Sequence, residues 1–514
     1  AGRGSGQHGG DCDEYTDGDD GARGHEGTPR GGDRAQEIEW ATQMKYAIAA
    51  LVCLGLVSCS TRVGFEPPPP PPLDPDPPVI VEPIPELPDP PILEPEPEPE
   101  PEPSPAYVWT QPAGNVRLDG RAFADDDGAF NALGVTLMWG MWAAKHDPPM
   151  LAATLDWLAG WGVDYVRVLS MVGSLPYWDG RVIDPRWNDY GDVLNVLLDA
   201  SAERGLRVQV VLFADAQVMM PSHDDRRAWV EVMAERLEDK RSAVQFVEIA
   251  NESNLNGVDD EDLRELTSLW NRISEIPVAP SSPDGAGAEV AINRLFEGGE
   301  FGADLLTPHF DRRIDTIEGA YRPQRQPWEV QFYDHVLPFA NNEPIGPGSS
   351  GQTESDPARL AIGLASTFIA GGAGYVLHTD AGVRGFSDYW NVATDPIMTA
   401  LRATMNLLPD GIANAERCNH HWACHPYSTD EQIWPDTHET GVVRAFAANV
   451  GNMSYVAVMG MRESYRVRAK WPMAVEVFDV RTGERTEVVE LDEGQEWTFY
   501  EGDTKDYLHR ITGR

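Results

Sequence analysis

Short apolar runs alternate with longer amphipathic stretches between about residues 130 and 390. Short apolar runs bounded by turn residues are typical of buried strands, and apolar positions spaced three and four residues apart are typical of helices. The alternation of the two predicts βα units and a parallel sheet. The eight predicted strands are 132–140, 164–172, 207–215, 243–252, 276–282, 303–310, 337–344 and 372–380.

Eight βα units over roughly 280 residues have the size expected of a (β/α)8 barrel. A doubly wound open sheet is the rival, but no G-x-G-x-x-G sequence follows the first strand. The predicted fold class is therefore α/β, with a (β/α)8 TIM barrel over residues 106–410.

Beyond residue 410 the pattern changes to short β-type runs separated by turn residues, such as GVVRAFAANV and MSYVAVMGM. Several strands at this spacing indicate a small antiparallel sandwich, which is assigned to residues 411–514. The connection contains CNHHWACH, in which Cys418 and Cys424 are interleaved with histidines. A local disulfide, two free thiols and a metal site all remain open there.

Residues 44–59 contain one lysine followed by an apolar run that is too short to span a membrane. This pattern is typical of a signal peptide. A chance apolar run is the alternative interpretation. The final Leu-Val-Ser-Cys resembles the lipobox of bacterial lipoproteins. That resemblance implies lipidation of Cys59 and attachment to a membrane through the lipid alone. Ser60 at the next position fits sorting to the outer membrane, with the protein facing the periplasm or the cell surface.

Two further segments flank this signal sequence. A signal peptide works at the start of a chain, so we expect translation to begin at Met44 and the Gly- and charge-rich residues 1–43 to lie outside the native product. Residues 60–105 are rich in proline and glutamate, which favours an extended, disordered linker. A Pro-rich ligand for a groove-binding partner is the alternative interpretation.

The net charge of −43 argues against nucleic-acid binding, because a phosphate backbone would be repelled. We find no P-loop, no HExxH and no GxSxG, so phosphoryl transfer, zincin proteolysis and serine-hydrolase chemistry have no support. We expect a monomer.

In a barrel, functional residues lie at the carboxyl ends of the strands. Two Asn-Glu pairs occupy such positions, Asn251-Glu252 on the fourth strand and Asn342-Glu343 on the seventh. Opposed carboxylates are what hydrolysis of a glycosidic bond requires, since one protonates the leaving oxygen and the other attacks the sugar or activates water. The same rule selects Trp139, Arg167, Asp215, His309, His378 and Asp380.

VEIANESN, around Glu252, resembles the fourth-strand motif of glycoside hydrolase clan A, notably family 5. The resemblance implies a retaining enzyme in which Glu252 is the general acid/base and Glu343 the nucleophile. It further implies that Asn251 binds the sugar 2-hydroxyl, that Arg167 keeps the nucleophile ionised and that His309 contacts the sugar.

The remaining assignments come from the residues themselves. Trp139 and His378 are predicted to contact substrate, and Glu248, four residues before Glu252 and on the same strand face, is interpreted as structural. Glu329 and Asp334 are nearby competitors of Glu343. The expected partner is a poly- or oligosaccharide, and the chemistry needs no cofactor or metal. A non-catalytic carbohydrate-binding or adhesion lipoprotein on a barrel scaffold is the rival function.

Overall fold

The computed structural model describes most of the chain after residue 112. The described residues are 113–174, 178, 180–281, 288–297, 299–310, 312, 323, 326–327, 337–348, 352–385, 394–417, 427–429, 444–459, 465–499 and 506–513. The predicted leader, signal peptide and linker, with Cys59, lie outside these residues, as do Cys418 and Cys424. Within the described part, no helix is both long and apolar enough to cross a membrane.

A three-stranded antiparallel sheet comes first, with β1 (Arg117–Asp119), β2 (Ala122–Asp125) and β3 (Gly128–Phe130). The sequence pattern did not predict this sheet. Strands of three or four residues are too short to show the alternation of apolar and polar positions that identifies a strand.

Seven parallel strands then form the central sheet, in the order β8–β7–β6–β5–β4–β10–β9. Most positions of these strands are buried on both faces, which explains their continuous apolar runs. The strands are β4 (Ala132–Thr136), β5 (Tyr165–Leu169), β6 (Arg207–Phe213), β7 (Val244–Ala250), β8 (Val278–Ala279), β9 (Phe339–Asn341) and β10 (Gly372–Leu377).

The ring closes through the segment predicted as the sixth strand. The N–H of Asp304 donates to the carbonyl of Val278 on β8 at 2.9 Å, and the N–H of Leu306 donates to the carbonyl of Pro338, next to β9, at 2.8 Å. The segment forms a single bridge rather than a strand. Pro308 has no N–H with which to continue a ladder. All eight predicted strand positions are therefore occupied, and the barrel prediction is confirmed.

Helices follow most of the strands, and several begin at recognisable caps. Asp147 accepts the N–H of Met150, and Ser222 accepts the N–H of Asp225, each at the start of a helix. The helices are α1 (Gly140–His146), α2 (Pro148–Gly160), α3 (Tyr190–Ala202), α4 (Ala216–Met219), α5 (His223–Glu238), α6 (Ser253–Asn256), α7 (Asp260–Ile273), α8 (Ala288–Phe296), α9 (Pro357–Ile369), α10 (Asp380–Arg384) and α11 (Asp395–Met405).

The small first sheet covers the amino-terminal end of the barrel. Phe123 of β2 stacks on Phe246 from inside the barrel, with ring centroids 5.6 Å apart. Asp125 accepts a 2.6 Å hydrogen bond from the guanidinium of Arg207 at the start of β6, and both side chains are nearly buried. This end is therefore closed by packing and by one ion pair, which leaves the carboxyl end for chemistry.

Two antiparallel sheets follow the barrel, as predicted. Six strands pair in the order β11–β13–β14–β19–β16–β17, and three pair in the order β12–β15–β18. Val467 of the smaller sheet shares an apolar core with Val456 and Val475 of the larger one, so the two sheets face each other. The strands are β11 (Glu416–Arg417), β12 (Tyr427–Thr429), β13 (Arg444–Val450), β14 (Met453–Met459), β15 (Tyr465–Ala469), β16 (Met473–Asp479), β17 (Arg485–Leu491), β18 (Glu496–Phe499) and β19 (Tyr507–Gly513).

The larger C-terminal sheet packs on the barrel through α9. This helix contacts β10 of the barrel on one side and β14 on the other, and nearly all of its residues are buried. Thr404 of α11 adds a 3.0 Å hydrogen bond to the carbonyl of Val480. Helix α9 is mostly apolar because it lies between two hydrophobic surfaces.

Candidate active site

A buried polar cluster lies at the carboxyl ends of the barrel strands. Its members come from positions far apart in the chain, and seven of the eight strand positions or the loops after them contribute. The cluster contains Thr136, Arg167, Gln209, Glu248, Asn251, Glu252, His309, Arg312, Asn342, Glu343 and His378.

Arg167 of β5 is the centre of the cluster. Its fully buried guanidinium donates to Glu343 at 2.6 Å, to Asn251 at 2.8 Å and to Glu248 at 3.0 Å. Burial opposes the charge of Arg167, but the two carboxylates outweigh that effect and raise its pKa. The guanidinium therefore stays charged and fixes three side chains at once.

Glu248 of β7 has a different environment from Glu252. Its Oε2 atom accepts from Arg167 at 3.0 Å, from Gln209 at 2.9 Å and from Asn342 at 2.7 Å. Gln209 also donates to the Oδ1 atom of Asn342 at 3.0 Å. The carboxylate is thus enclosed by fixed donors inside the barrel, which agrees with its interpretation as a structural group.

Glu343 follows β9 and is surrounded by positive or potentially positive groups. Arg167 holds its Oε1 atom, while its Oε2 atom lies 3.4 Å from Arg312, 3.6 Å from His309 and 3.9 Å from His378. Burial alone would raise the pKa of Glu343, but the two histidines and the two arginines together hold it well below its ordinary value. Glu343 is therefore a buried carboxylate that stays ionised.

Glu252 follows β7 in a left-handed backbone conformation with φ of 37°, which is uncommon for a residue other than glycine. Hydrogen bonds hold this turn in place. The Nδ2 atom of Asn256 donates to the carbonyl of Asn251 at 2.6 Å, and the N–H of Ser253 donates to the hydroxyl of Ser281 at 3.2 Å. The side chain of Glu252 is 18% exposed, so it can meet both solvent and the interior of the site.

His309 lies between the two glutamates. Its Nδ1 atom is 3.5 Å from Oε1 of Glu252 and 3.6 Å from Oε2 of Glu343, and one ligand atom from each of the three residues lies within 4.8 Å of the other two. Burial disfavours protonation of His309, but the charge of Glu343 and the contact with Glu252 outweigh it and raise the pKa of the imidazole. The two carboxylates predicted from sequence are thus brought together.

His378, at the end of β10, also faces Glu343. Its Nδ1 atom is 3.0 Å from the hydroxyl of Thr136 on β4. Burial lowers the pKa of His378 to about 3, although the charge of Glu343 opposes the shift. The ring is therefore neutral near pH 7.

Three other residues selected from sequence have different surroundings. Trp139 is 2% exposed and donates its indole N–H to the carbonyl of Ala381 at 2.8 Å, so it packs against the wall rather than presenting a face for stacking. Asp215 is fully buried and accepts the N–H groups of Gly173 and Trp178. Asp380 begins α10 and lies 3.1 Å from Arg384.

Sequence reasoning missed Gln209 and Arg312, and it did not foresee that Asn342 would bind Glu248. Gln209 carried a signal, because it is a polar residue inside the strand RVQVVLF, which is apolar after its first residue except at this position. Arg312 carried none, since it lies two residues beyond the end of the predicted sixth strand. Glu329 and Asp334 lie outside the described residues.

The donor set of Glu252, His309 and Glu343 could in principle hold a divalent cation. Two guanidinium groups compete with such a cation for Glu343. Arg167 and Arg312 both lie against Glu343 and already balance its charge. The arrangement fits an ionised carboxylate better than a metal ligand.

The fold is similar to that of solved glycoside hydrolases. A glycoside hydrolase family 5 structure from Bacteroides vulgatus ATCC 8482 has 15% sequence identity and a TM-score of 0.58, covering 80% of this chain and 95% of that one. A second structure, described as a glycoside hydrolase, has 14% identity and a TM-score of 0.58, covering 79% and 99%. No protein-family model matches the chain, and no curated protein does. At these identities the similarity establishes the fold, a barrel of the kind found in glycoside hydrolase family 5.

Proposed function

We propose that the protein is a retaining glycoside hydrolase that cleaves β-glycosidic bonds of a poly- or oligosaccharide. The observation that carries this proposal is the pair Glu252 and Glu343, which converge from opposite sides of the barrel onto His309. The fold shared with glycoside hydrolases supports it, although a barrel alone hosts many functions.

In the first half of the reaction, Glu343 attacks the anomeric carbon while the bond to the leaving oxygen breaks. Glu252 gives its proton to that oxygen. In the second half, Glu252 takes a proton from water, the water oxygen bonds to the anomeric carbon and the ester to Glu343 breaks. Arg167 binds Oε1 of Glu343, so we assign Oε2, which has looser contacts, as the attacking oxygen.

The carboxylates approach closely enough for retention. One oxygen of each lies within 4.8 Å of the other. Retaining enzymes place the two groups about 5–5.5 Å apart, whereas inverting enzymes need a wider gap of about 6.5–9.5 Å for a water molecule. The ionisation of Glu343 adds support, because a nucleophile must be anionic before it attacks.

The test is hydrolysis of aryl β-glycosides and of a panel of β-glucans, mannans, xylans and galactans by wild type and by Glu252→Ala and Glu343→Ala. We expect each variant to lose at least about 10²–10⁴-fold in turnover, the range that proton transfer and nucleophilic groups contribute. Azide should restore turnover of an activated aryl glycoside by Glu252→Ala with retained anomeric configuration. Glu238→Ala, at an exposed position on α5, is the matched control and should be unaffected.

The outcomes separate this proposal from its rival. Turnover unchanged in either alanine variant removes that glutamate from its role. Wild-type protein that binds one of the glycans without cleaving it supports the carbohydrate-binding or adhesion function instead.

We also propose attachment to the bacterial cell envelope through a lipid on Cys59. The support is the signal-peptide pattern and the lipobox-like Leu-Val-Ser-Cys of the sequence. In a Gram-negative host, wild-type protein should incorporate radiolabelled palmitate and fractionate with the outer membrane. Cys59→Ala should do neither, and equal labelling of the two proteins contradicts the proposal.

A further inference from the structure

Arg167 is a fully buried cation that lies between two buried carboxylates. It binds Glu343 on one side at 2.6 Å and Glu248 on the other at 3.0 Å. Among the described residues, these two are its ion-pair partners. Asn251, its third partner, is neutral. A buried cation that loses its anion is strongly destabilising. The stability of the buried guanidinium of Arg167 therefore depends on the negative charges of both carboxylates.

The reaction proposed above changes one of those charges. When Glu343 bonds to the anomeric carbon, its carboxylate becomes a neutral ester. The negative charge moves to Glu252, which has given its proton to the leaving oxygen. Glu252 contacts His309 rather than Arg167. During the lifetime of the intermediate, Arg167 therefore no longer has an anion at Glu343.

We propose that Glu248 is a positioning residue that supplies the negative charge for Arg167 while Glu343 is esterified. This inference rests on the proposed function. Glu248 does not touch the substrate and acts through Arg167. It balances the buried guanidinium in the intermediate and prevents Glu343 from being the sole counter-ion in the free enzyme.

The geometry around Glu248 allows its charge to be removed with little change in shape. Three donors converge on Oε2, from Arg167, Gln209 and Asn342. No donor reaches Oε1 among the residues that the structure describes. In Glu248→Gln, the amide oxygen can therefore take the place of Oε2 and the amide nitrogen the place of Oε1.

Glu248→Gln leaves the other charged groups around Glu343 unchanged. Glu343 still faces Arg167, Arg312, His309 and His378. Among the described residues, Tyr165 on β5 also interacts with the charge of Glu248, and the pKa of its buried hydroxyl is raised, mainly because of burial. Tyr165 is neutral at working pH in both proteins, so the removed charge is the one difference.

The two halves of the reaction should respond in opposite directions to Glu248→Gln. With Glu248 uncharged, Arg167 binds the Glu343 carboxylate more strongly, which makes Glu343 a weaker nucleophile and a better leaving group. Formation of the glycosyl ester should slow and its breakdown should accelerate, and the two changes should multiply to about tenfold for a change of one pKa unit at Glu343. A variant with merely disturbed geometry would slow both halves.

The first experiment measures these halves separately. Wild type and Glu248→Gln are treated with the 2-deoxy-2-fluoro aryl glycoside of the sugar that wild type hydrolyses, and formation and decay of the covalent adduct are followed by intact-protein mass spectrometry. The matched control is Asp125→Asn, which breaks a nearly buried Arg–carboxylate pair at the opposite end of the barrel. Asp125→Asn should be less stable but should have wild-type rates for both halves.

The second experiment needs no turnover. Glu343→Gln mimics the neutral ester, so a cycle of Tm values for wild type, Glu248→Gln, Glu343→Gln and the double variant reports the coupling through Arg167. We expect each single variant to fold and the double variant to lose several degrees more than the sum of the two.

The outcomes separate this inference from the proposed function. Opposite rate effects together with a non-additive Tm support the role of Glu248. Slower formation and slower breakdown, or additive Tm values in an active enzyme, overturn it and leave the glycosidase proposal intact. If wild type hydrolyses no glycoside while the Tm values are non-additive, the charge-balancing role stands as a property of the site and the glycosidase proposal fails.

Discussion

Glu343 shows how a buried carboxylate can remain ionised. Transfer of a lone carboxylate into the interior costs several kcal/mol. Here Arg167 donates to one oxygen, and Arg312 and two imidazoles face the other. The cations lower the pKa of Glu343 by more than burial raises it. The charge on the candidate nucleophile therefore depends on its neighbours as much as on the glutamate itself.

Replacing Arg312 with glutamine should move the acid limb of activity. Glu343 must be ionised to attack, and the loss of one cation raises its pKa towards the ordinary value. The acid limb of kcat/KM should therefore shift to higher pH. The measurement is the pH dependence of kcat/KM on an aryl glycoside. Arg186→Gln, an exposed site paired with Asp184, is the control, and identical acid limbs for Arg312→Gln and wild type would refute the role.

At the scale of elements, the rim of the site depends on close contact between backbones. A Cβ at Gly346, in the loop after Glu343, would lie 2.0 Å from the carbonyl oxygen of His378. A Cβ at Gly382 in α10 would lie 2.0 Å from the carbonyl oxygen of Thr136. The loops after β4, β9 and β10 thus pack with no room for a side chain. This packing fixes Glu343 relative to His378.

Gly346→Ala should therefore disturb both the rim and the site. The added methyl group meets backbone that cannot rotate away, so we expect a loss of about 1–3 kcal/mol in the free energy of unfolding and a lower kcat. Chemical denaturation and turnover on the same preparation measure the two effects. Gly160→Ala is the control, because a Cβ at the end of α2 meets nothing within 4 Å. Equal stability of the two variants would contradict the packing interpretation.

At the scale of the whole molecule, buried titratable groups make stability depend on pH. Burial lowers the pKa of His378 to about 3 and that of His509, in β19, to about 3. The unfolded state binds these protons from about pH 6.5 downwards, whereas the folded state does not until about pH 3, so each histidine reduces stability as pH falls through that window. Asp164 has the opposite effect, because burial raises its pKa to about 6. The folded state binds this proton before the unfolded state does, so Asp164 increases stability as pH falls from about 6 to about 4.

His509→Phe should make the protein less sensitive to acid. Phenylalanine preserves ring contacts with Trp497 and Tyr507 and cannot be protonated. In wild type, protonation of His509 in the unfolded state should lower the Tm between pH 6.5 and 4. The Tm of the variant should fall less than that of wild type. The difference in the free energy of unfolding between the two proteins should change by up to about 1.4 kcal/mol per pH unit. Parallel Tm curves for the two proteins would count against the proton linkage.

Local signals in the sequence predicted most of the fold. Strand length, helical spacing and the glycines after helices are properties of short segments, so the eight strand positions and the C-terminal sandwich are readable from the amino-acid pattern alone. The same locality explains the failures. The first sheet was missed because its strands have only three or four residues, and the sixth strand is a single bridge because a proline interrupts it.

The sequence by itself determined the two Asn-Glu pairs and their places at strand ends, because a strand and the turn after it are encoded together. Only the tertiary structure decided what surrounds them. Closure of the barrel brings Arg167 to Glu343 across 176 positions of sequence and directs Gln209 and Asn342 onto Glu248. It also buries Trp139 in the wall. Such contacts depend on which strands become neighbours and which side chains point inwards at the same height, and neither property is contained in any short segment.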